Sequence, residues 1–159
     1  MNTKPFVSVV MSVYNGELFL KEAIDSILSQ TYKKFEFIII DDGSTDGSLN
    51  IINEYSDERI KILVNPKNEG LIFSLNKGIE LALGTYIVRM DADDISLPQR
   101  IEEQVSFMEK HKEIGVCGTD IEVFGKSLNG YIHRFKRSPI ANNCLLYTSD
   151  AADEARSVD

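Results

Sequence analysis

The stretch TYIVRMDADDISLP, residues 85–98, joins a short apolar run to three aspartates, Asp91, Asp93 and Asp94. The run TYIVRM (85–90) is rich in β-branched and apolar residues, which is typical of a buried strand. Residues two apart in an extended segment point to the same side, so Asp91 and Asp93 can share one direction. The stretch therefore predicts a buried strand that ends in a group of carboxylates.

Strand-like and helix-like segments alternate on both sides of this stretch. Strands are predicted at 6–13, 35–41, 59–64 and 85–90, with one or two more within 114–125. Between them, apolar residues recur at helical spacing, in the first helix at Leu18, Leu20, Ala23, Ile24, Ile27 and Leu28. This alternation predicts βαβ units, and so an α/β fold with a mostly parallel central sheet.

Polar residues and glycines also predict where the helices begin and end. Asn15 is a candidate N-cap of the first helix, and Asp46 of the second. Gly84 is a candidate C-cap of the third helix. Ser96 is a candidate N-cap of the fourth, with Pro98 in the first turn.

The composition excludes several classes of function. The chain has 159 residues, about the length of one domain. Its net charge is -8, which argues against nucleic-acid binding because such proteins need a basic face. Two cysteines, Cys117 and Cys144, form no CxxC pair, so a disulfide scaffold or zinc site is not expected, and a reducing cytoplasm fits. The apolar stretch from Phe6 to Tyr14 is too short to span a bilayer.

The ends of the predicted strands are polar. SVYNGE (12–17), DDGSTDG (41–47) and DADD (91–94) each follow or end a strand. In parallel sheets of this kind, ligands bind outside the carboxyl ends of the strands. We therefore expect these three segments to meet at one edge of the sheet and to form a binding site there.

Asp91 and Asp93 are candidate ligands of a divalent cation. Paired carboxylates suit Mg²⁺ or Mn²⁺, which prefer oxygen ligands and would offset the repulsion between the aspartates. Such a cation also accepts oxygens from a diphosphate. The alternative is a solvated acidic loop in which Asp94 or Ser96 caps the next helix, but the position at a strand end favours a cation site.

Other residues of these segments have chemistry that suits a nucleotide. Asp42 can accept a hydrogen bond from a ribose hydroxyl or the imide of uracil, although turn formation explains an aspartate there equally well. Tyr14 can stack on a base, although a partly buried tyrosine at the edge of the sheet explains this residue by itself equally simply, and Ser12 can offer a hydroxyl. Lys77 and Arg89 are cations that can reach a diphosphate, or they are simply surface charges.

Three stretches in this order are similar to family-2 glycosyltransferases of the GT-A fold: VSVVMSVYNGELFLKEAIDSILSQTY, FEFIIIDDGSTDGS and NEGLIFSLNKGIELALGTYIVRMDADD. The similarity runs from about Phe6 to Gly125. It implies a Rossmann-like βαβ sandwich with a mostly parallel central sheet. It also implies Mg²⁺ or Mn²⁺, a nucleotide-sugar donor that is usually a UDP-sugar, and transfer of the sugar with inversion.

The resemblance assigns roles to residues at the matching positions. It implies that Ser12 and Tyr14 line the base pocket and that Asp42 hydrogen-bonds the uracil. Glu17 stands where the family often has an acidic residue near the nucleotide. Where family members often carry Ala-Arg-Asn, this chain has Ser-Leu-Asn at 74–76, so the cationic contact to the diphosphate is lost or moved to Lys77.

The resemblance also implies a separate role for each of the three aspartates. Asp91 would lie near the ribose or the sugar and contribute to the metal site, and Asp93 would ligate the metal. Asp94 would act from just outside the coordination sphere or cap the next helix.

The catalytic base is missing from this pattern. Inverting transfer needs a base to take the proton of the acceptor hydroxyl, and in the family this carboxylate lies on a later, acceptor-side segment. The recognisable pattern stops near Gly125, so we expect the base beyond residue 143. Residues 1–143 are then a nucleotide-sugar-binding domain that is incomplete at its C-terminus.

The last segment of the chain, residues 144–159, is predicted to be non-native. CLLYTSDAADE (144–154) resembles the conceptual translation of a transposase sequencing adapter, so we expect residues 144–159 to be non-native. The alternative is a genuine C-terminal helix capped by Ser149.

The resemblance implies a cytoplasmic enzyme, working at the inner face of the membrane or free of it, that builds a bacterial surface polysaccharide or glycolipid. Its acceptor would be a saccharide or a lipid-linked saccharide, and peripheral membrane association of a longer protein stays open. In the alternative function, the chain is a catalytically incomplete fragment that only binds UDP and metal.

Overall fold

The computed structural model describes residues 7–119 and the backbone of 146–148. Within these ranges the elements follow in the order β1 (Val7–Val13), α1 (Leu20–Leu28), β2 (Phe35–Asp41), α2 (Ser48–Asn53), β3 (Ile60–Val64), α3 (Leu71–Leu81), β4 (Tyr86–Asp91), α4 (Arg100–Lys110), β5 (Val116–Cys117) and β6 (Leu146–Thr148). Each of the four strands predicted before residue 91 is present to within one residue at either end.

These strands form one sheet in the order β3-β2-β1-β4-β6-β5. β1 pairs in parallel with both β2 and β4, and β2 pairs in parallel with β3. β6 runs antiparallel to β4 and β5. The predicted α/β fold with a mostly parallel central sheet is confirmed.

β6 is the described part of the segment 144–159, whose non-native origin stays a prediction. The alternative C-terminal helix near Ser149 and the remainder of the strand region 114–125 after Thr119 lie outside the described residues.

One face of the sheet packs against α1, α2 and α4. Odd-numbered residues of β1, such as Val9 and Met11, point to this face because successive side chains of a strand alternate. The buried helix residues of this core are Leu20, Ala23, Ile24, Ile27, Ile52, Ile101, Val105 and Met108. Leu18, which the sequence pattern placed in the first helix, lies before α1 and is 82% exposed.

The opposite face is covered by α3. Its core joins Val10, Ile38, Ile40 and Ile87 of the sheet to Leu75, Ile79 and Ala82 at the helix. Gly78 lets α3 approach closely, because a Cβ at this position would lie 2.4 Å from Cγ1 of Val10 and 2.8 Å from Cδ1 of Ile40.

The N-caps predicted for α1 and α4 are wrong. α1 begins at Leu20 rather than after Asn15, because the chain before it is held in contacts with a neighbouring loop. α4 begins at Arg100, and Ser96 is buried with its Oγ accepting from Nε2 of Gln30 at 3.2 Å. In both places a tertiary hydrogen bond takes the polar group that a local cap would have used.

The predicted C-cap at Gly84 is wrong as well. α3 ends at Leu81, with Ala82 as its C-cap residue. The N–H of Gly84 instead donates to Oγ of Ser8 at 2.8 Å, which holds the start of β4 against β1.

Glu36 is a carboxylate buried at the amino end of the sheet. It accepts hydrogen bonds from Oγ of Ser8 at 2.5 Å, from the N–H of Leu83 at 2.6 Å and from Nζ of Lys61 at 2.6 Å. Burial raises the pKa of Glu36, but these hydrogen bonds and the charge of Lys61 outweigh it, so its pKa lies below the usual value. The ionised carboxylate therefore ties β1, β2, β3 and the segment before β4 together.

We predict that Gly78→Ala destabilises the protein. The added methyl gains helix propensity, worth about 1 kcal/mol, but it must displace Val10 or Ile40. Overpacking of a core costs about 1–3 kcal/mol, so the free energy of unfolding in urea should fall. Asn76→Ala, at an exposed position of the same helix, is the control and should be neutral or stabilising. A Gly78→Ala variant as stable as this control would contradict the close approach of α3.

We predict that Glu36→Gln lowers stability at pH 7 by about 2 kcal/mol, the usual contribution of hydrogen bonds to a charged group. Because the folded pKa of Glu36 is lowered, its stabilisation is complete above the unfolded pKa of about 4.3 and is lost as the pH falls through the folded pKa. The gap in unfolding free energy between the native chain and the variant should therefore narrow as the solution is acidified.

Urea unfolding at a series of pH values between neutral and strongly acidic conditions measures this gap. Glu22→Gln, which changes an exposed carboxylate of α1, should leave the pH dependence as it is in the native chain. A gap for Glu36→Gln that stays constant down to pH 2 would be inconsistent with a lowered pKa.

Candidate active site

The carboxyl ends of β1, β2 and β4 lie side by side at one edge of the sheet. Val13 is opposite Asp41 in the β1–β2 pair, and Ser12 is opposite Asp91 in the β1–β4 pair. Ser12 is half-buried, and Tyr14, just beyond β1, is 50% exposed. The sequence-based prediction that the three polar segments meet at one edge is thus confirmed.

The loop after β1 is fastened to the loop after β2. Asn15 has a left-handed backbone, with φ of 53°, which asparagine tolerates better than most residues. Its N–H donates to Oγ of Ser44 at 3.1 Å, and its Oδ1 accepts from the N–H of Thr45 at 2.8 Å. Asn15 therefore links the two loops instead of capping α1.

Glu17 makes a second link between the same loops. Its Oε2 accepts from the N–H of Gly47 at 2.6 Å, and its own N–H donates to Oδ2 of Asp46 at 3.1 Å. The other oxygen of Asp46 accepts from the N–H of Ser48 at 2.9 Å, so Asp46 contacts the first residue of α2, whereas the N-cap residue is Gly47 rather than the predicted Asp46. Glu17 lies at the binding edge, and the structure shows its carboxylate engaged with the protein.

Asp42 is 1% exposed and organises the loop between β3 and α3. Its Oδ1 accepts from Nδ2 of Asn65 at 2.7 Å and from the N–H of Glu69 at 3.0 Å. Its Oδ2 accepts from the N–H of Gly70 at 2.9 Å. Burial raises the pKa of Asp42, but these hydrogen bonds and one from Ser74 outweigh it and lower the pKa, so Asp42 is ionised at neutral pH.

Asn65 is a buried residue of this site that the sequence analysis missed. Its Nδ2 donates to Asp42 and to Oγ of Ser74 at 2.9 Å, and its Oδ1 accepts from Nζ of Lys77 at 3.0 Å. Lys77 also lies over the ring of Phe73, 4.8 Å from its centroid. Asn65 directly follows the predicted strand 59–64. Ligand sites lie at the carboxyl ends of parallel strands, so the reasoning that selected Asp42 could also have selected Asn65.

The loop that carries these contacts packs tightly on Gly43. Gly43 has φ of +70°, and a Cβ there would lie 2.4 Å from the backbone carbon of Lys67. Any other residue would push the 65–70 loop away from Asp42, because both the backbone conformation and the space require glycine.

Asp91 is paired with Arg89. Nη2 of Arg89 donates to both carboxylate oxygens of Asp91, at 2.6 and 2.8 Å. The structure thus places Arg89 at the binding edge, as a counter-charge to the last residue of β4. Both side chains are about two-fifths exposed, so solvent screens this pair considerably.

Asp93 and Asp94 are exposed in the turn that follows β4. The N–H of Asp94 donates to the carbonyl of Asp91 at 3.3 Å, which closes the turn. Partial burial and the charges of Asp91 and Asp93 raise the pKa of Asp94, although Arg100 and Arg89 act in the opposite direction. The carboxylates after β4 therefore create a region of negative potential.

These carboxylates suit a hard cation that a substrate also binds. Among residues 7–119 no group of three or more His, Cys, Asp or Glu side chains is arranged to hold a metal ion by itself. Mg²⁺, however, is usually bound through one or two carboxylates together with substrate phosphates. Asp91 and Asp93 fit that donor set because they lie two residues apart at the end of β4.

The helices offer no route across a membrane in the part of the chain that the structure describes. None of them combines the length and the apolar character that a bilayer span requires.

Comparison with known proteins identifies the family. The sequence profile of "Glycosyl transferase family 2" matches residues 8–152. The chain is 50% identical over 127 residues to the putative glycosyltransferase EpsE of Bacillus subtilis, which covers 78% of this chain and 46% of EpsE. The chain thus spans less than half the length of this relative.

Two solved structures share the fold. The mannosyltransferase PcManGT from Pyrobaculum calidifontis, in complex with GDP-Man and Mn²⁺, has a TM-score of 0.74 and 19% identity, covering 97% of this chain and 47% of its own. Residues 1–349 of S. aureus TarS, in complex with UDP, have a TM-score of 0.72 and 22% identity, covering 95% and 49%. These likenesses confirm the predicted GT-A fold, and the profile match shows that the chain belongs to glycosyl transferase family 2.

Proposed function

We propose that this chain forms the donor-binding part of an inverting, metal-dependent glycosyltransferase that uses a nucleotide-diphosphate sugar, in particular a UDP-sugar. The observation that carries the proposal is the strand register. It brings the ends of β1, β2 and β4, with Tyr14, Asp42 and Asp91, to one edge of the sheet. An exposed aromatic ring, an ionised buried carboxylate and an acidic turn are the groups that a base, its imide and a metal-bound diphosphate require.

The base would bind between Tyr14 and the unit built on Asp42. Asn65, Glu69 and Gly70 donate to Asp42 and Ser74 adds a fourth hydrogen bond, which matches the roughly four acceptor sites of a carboxylate. In the proposed complex the imide of uracil would take the place of one of these donors. Ser12 and Glu17 adjoin this region and complete the proposed nucleotide-binding set.

The diphosphate would lie nearer to β4. Asp91 and Asp93 would hold the divalent cation, Mg²⁺ or Mn²⁺, and Asp94 would act from just outside its coordination sphere. When bound, the cation would neutralise charge on the diphosphate as it leaves the sugar. Lys77, held by Asn65 beside Asp42, adds a positive charge on the nucleotide side.

The transfer step itself needs a group from elsewhere. In an inverting displacement the acceptor oxygen bonds to the anomeric carbon while the bond from that carbon to the nucleotide breaks, and a base takes the acceptor proton. We propose that this base lies beyond residue 143. The saccharide or lipid-linked acceptor, the role in bacterial surface polysaccharide or glycolipid synthesis, and the cytoplasmic site at the inner membrane face belong to this proposal.

We predict that the chain binds UDP in the presence of Mn²⁺ and that Asp93→Ala weakens this binding at least about tenfold, as the loss of a charged metal contact does. Isothermal titration calorimetry with UDP, with and without Mn²⁺, measures the effect. Glu80→Gln, in the last turn of α3 at the far end of the sheet, is the matched control. If UDP binding were absent, or were unchanged by Asp93→Ala, the proposed site would be wrong.

A second prediction separates an enzyme from a fragment that only binds. We expect the 159-residue chain to bind UDP and metal but to transfer or hydrolyse UDP-sugars little, because we propose that the base belongs to a native segment after residue 143 and that residues 144–159 are non-native. A longer reading frame from the genomic locus should transfer the sugar. Product formation from UDP-sugars by both forms measures this, and rapid turnover by the short chain would place the base within it.

A further inference from the structure

A buried polar cluster joins the end of α1 to the segment 92–99, which carries Asp93. Its centre is Gln30, a fully buried side chain. Nε2 of Gln30 donates towards the carbonyls of Ser96 at 3.3 Å and Leu97 at 2.8 Å. Its Oε1 accepts from the N–H of Ile101 at 3.1 Å, so one amide contacts both sides of the turn into α4.

The contacts of Gln30 fix the orientation of its amide. Nε2 is also 3.1 Å from the carbonyl of Ser26 and 3.2 Å from Oγ of Ser96, so it is surrounded by acceptors, whereas Oε1 faces an N–H. A flipped amide would set Oε1 against carbonyl oxygens. Position 30 therefore needs a side chain with a donor and an acceptor at this length, which glutamine alone supplies in neutral form.

Thr31 extends the same contact by one residue. Its N–H donates to the carbonyl of Pro98 at 2.8 Å. Its Oγ1 donates to Oε2 of Glu102 at 2.6 Å and lies 3.2 Å from the carbonyl of Pro98. Gln30 and Thr31 together thus bind three consecutive carbonyls, those of residues 96–98.

The other side of the segment is held from β4 and α1. Arg100 is 9% exposed, and its Nη2 donates to the carbonyl of Arg89 at 3.0 Å. Oγ of Ser26 accepts from the N–H of Ser96 at 3.0 Å. The turn is therefore clamped at both of its ends, at β4 before Asp91 and at residues 96–98.

Apolar packing holds only the first residue of this turn, Ala92, which lies against the core. Asp93, Asp94, Ile95 and Leu97 are all exposed, and Leu97 is 74% exposed. The part of the turn after Ala92 is therefore held by the backbone hydrogen bonds from Gln30 and Thr31. Residues that hydrogen-bond to a metal-binding segment without touching the metal are known to control the affinity of the site for the metal.

We propose that Gln30 is a positioning residue for the metal-binding turn: it holds residues 96–98 so that Asp93 meets the cation of the bound nucleotide. This inference rests on the proposed function and adds a residue to it. Gln30 touches neither nucleotide nor metal. Substituting Gln30 should lower the part of the UDP affinity that depends on Mn²⁺. It should leave the part that depends on Tyr14 and Asp42 unchanged, because these residues follow β1 and β2.

Gln30→Met tests this, because methionine has a similar length and keeps the site filled while removing both hydrogen-bonding groups. We expect the Mn²⁺-dependent gain in UDP affinity to fall about tenfold, with metal-free UDP affinity unchanged, by calorimetry. Val7→Ala, a core change at the opposite end of β1, is the control for lost stability. It should lower the melting temperature without changing the Mn²⁺-dependent gain.

Thr31→Val is a second variant in case Gln30→Met does not fold. It keeps the backbone hydrogen bond to Pro98 and loses only the exposed hydroxyl contacts, so the Mn²⁺-dependent gain should fall in the same direction by a smaller factor. Asp93→Ala should abolish the Mn²⁺-dependent gain in UDP affinity and serves as the reference. If it does so while both variants keep the full gain, the inference is overturned. If Gln30→Met does not fold, a full gain in Thr31→Val alone overturns it. A wild-type chain that does not bind UDP with Mn²⁺ overturns the proposed function instead.

Discussion

β1 exchanges backbone hydrogen bonds with β2 on one side and with β4 on the other, and both partners run parallel to it. This pairing sets the heights of the strand ends relative to one another. A shift of one residue between β1 and β4 would turn Asp91 to the opposite face of the sheet. The candidate site depends on that register, because its polar groups come from three strands that are distant in sequence.

Buried carboxylates at both ends of the sheet stay ionised through hydrogen bonds. At the amino end, Glu36 accepts from a serine, a backbone amide and Lys61. At the carboxyl end, Asp42 accepts from Asn65 and two backbone amides. A buried carboxylate is costly unless such donors compensate it. Glu36 and Asp42 each hold separate segments of the chain together through these hydrogen bonds, and Asp42 does so at the candidate nucleotide site.

The strands β1 to β4 were predictable to within one residue, whereas β6 and the helix ends were not. Strands such as β2, with every residue buried, leave a predominantly apolar, β-branched pattern that is typical of a buried strand. Cap signals depend on a single polar group, and that group can serve another partner. Asn15, Ser96 and Gly84 each form a hydrogen bond with a segment distant in sequence. The local sequence therefore predicted a cap where the tertiary structure uses the residue for another contact.

By itself the sequence determined the order of strands and helices, the polar character of the strand ends and the family resemblance, because periodicity and residue type are local properties. Only the tertiary structure decided which carboxylates are engaged with protein and which face solvent. Asp42 and Glu17 are bound to backbone amides, whereas Asp93 is exposed. It also decided that Gln30 lies behind the acidic turn, since contacts between residues about 66 apart in sequence leave no local pattern.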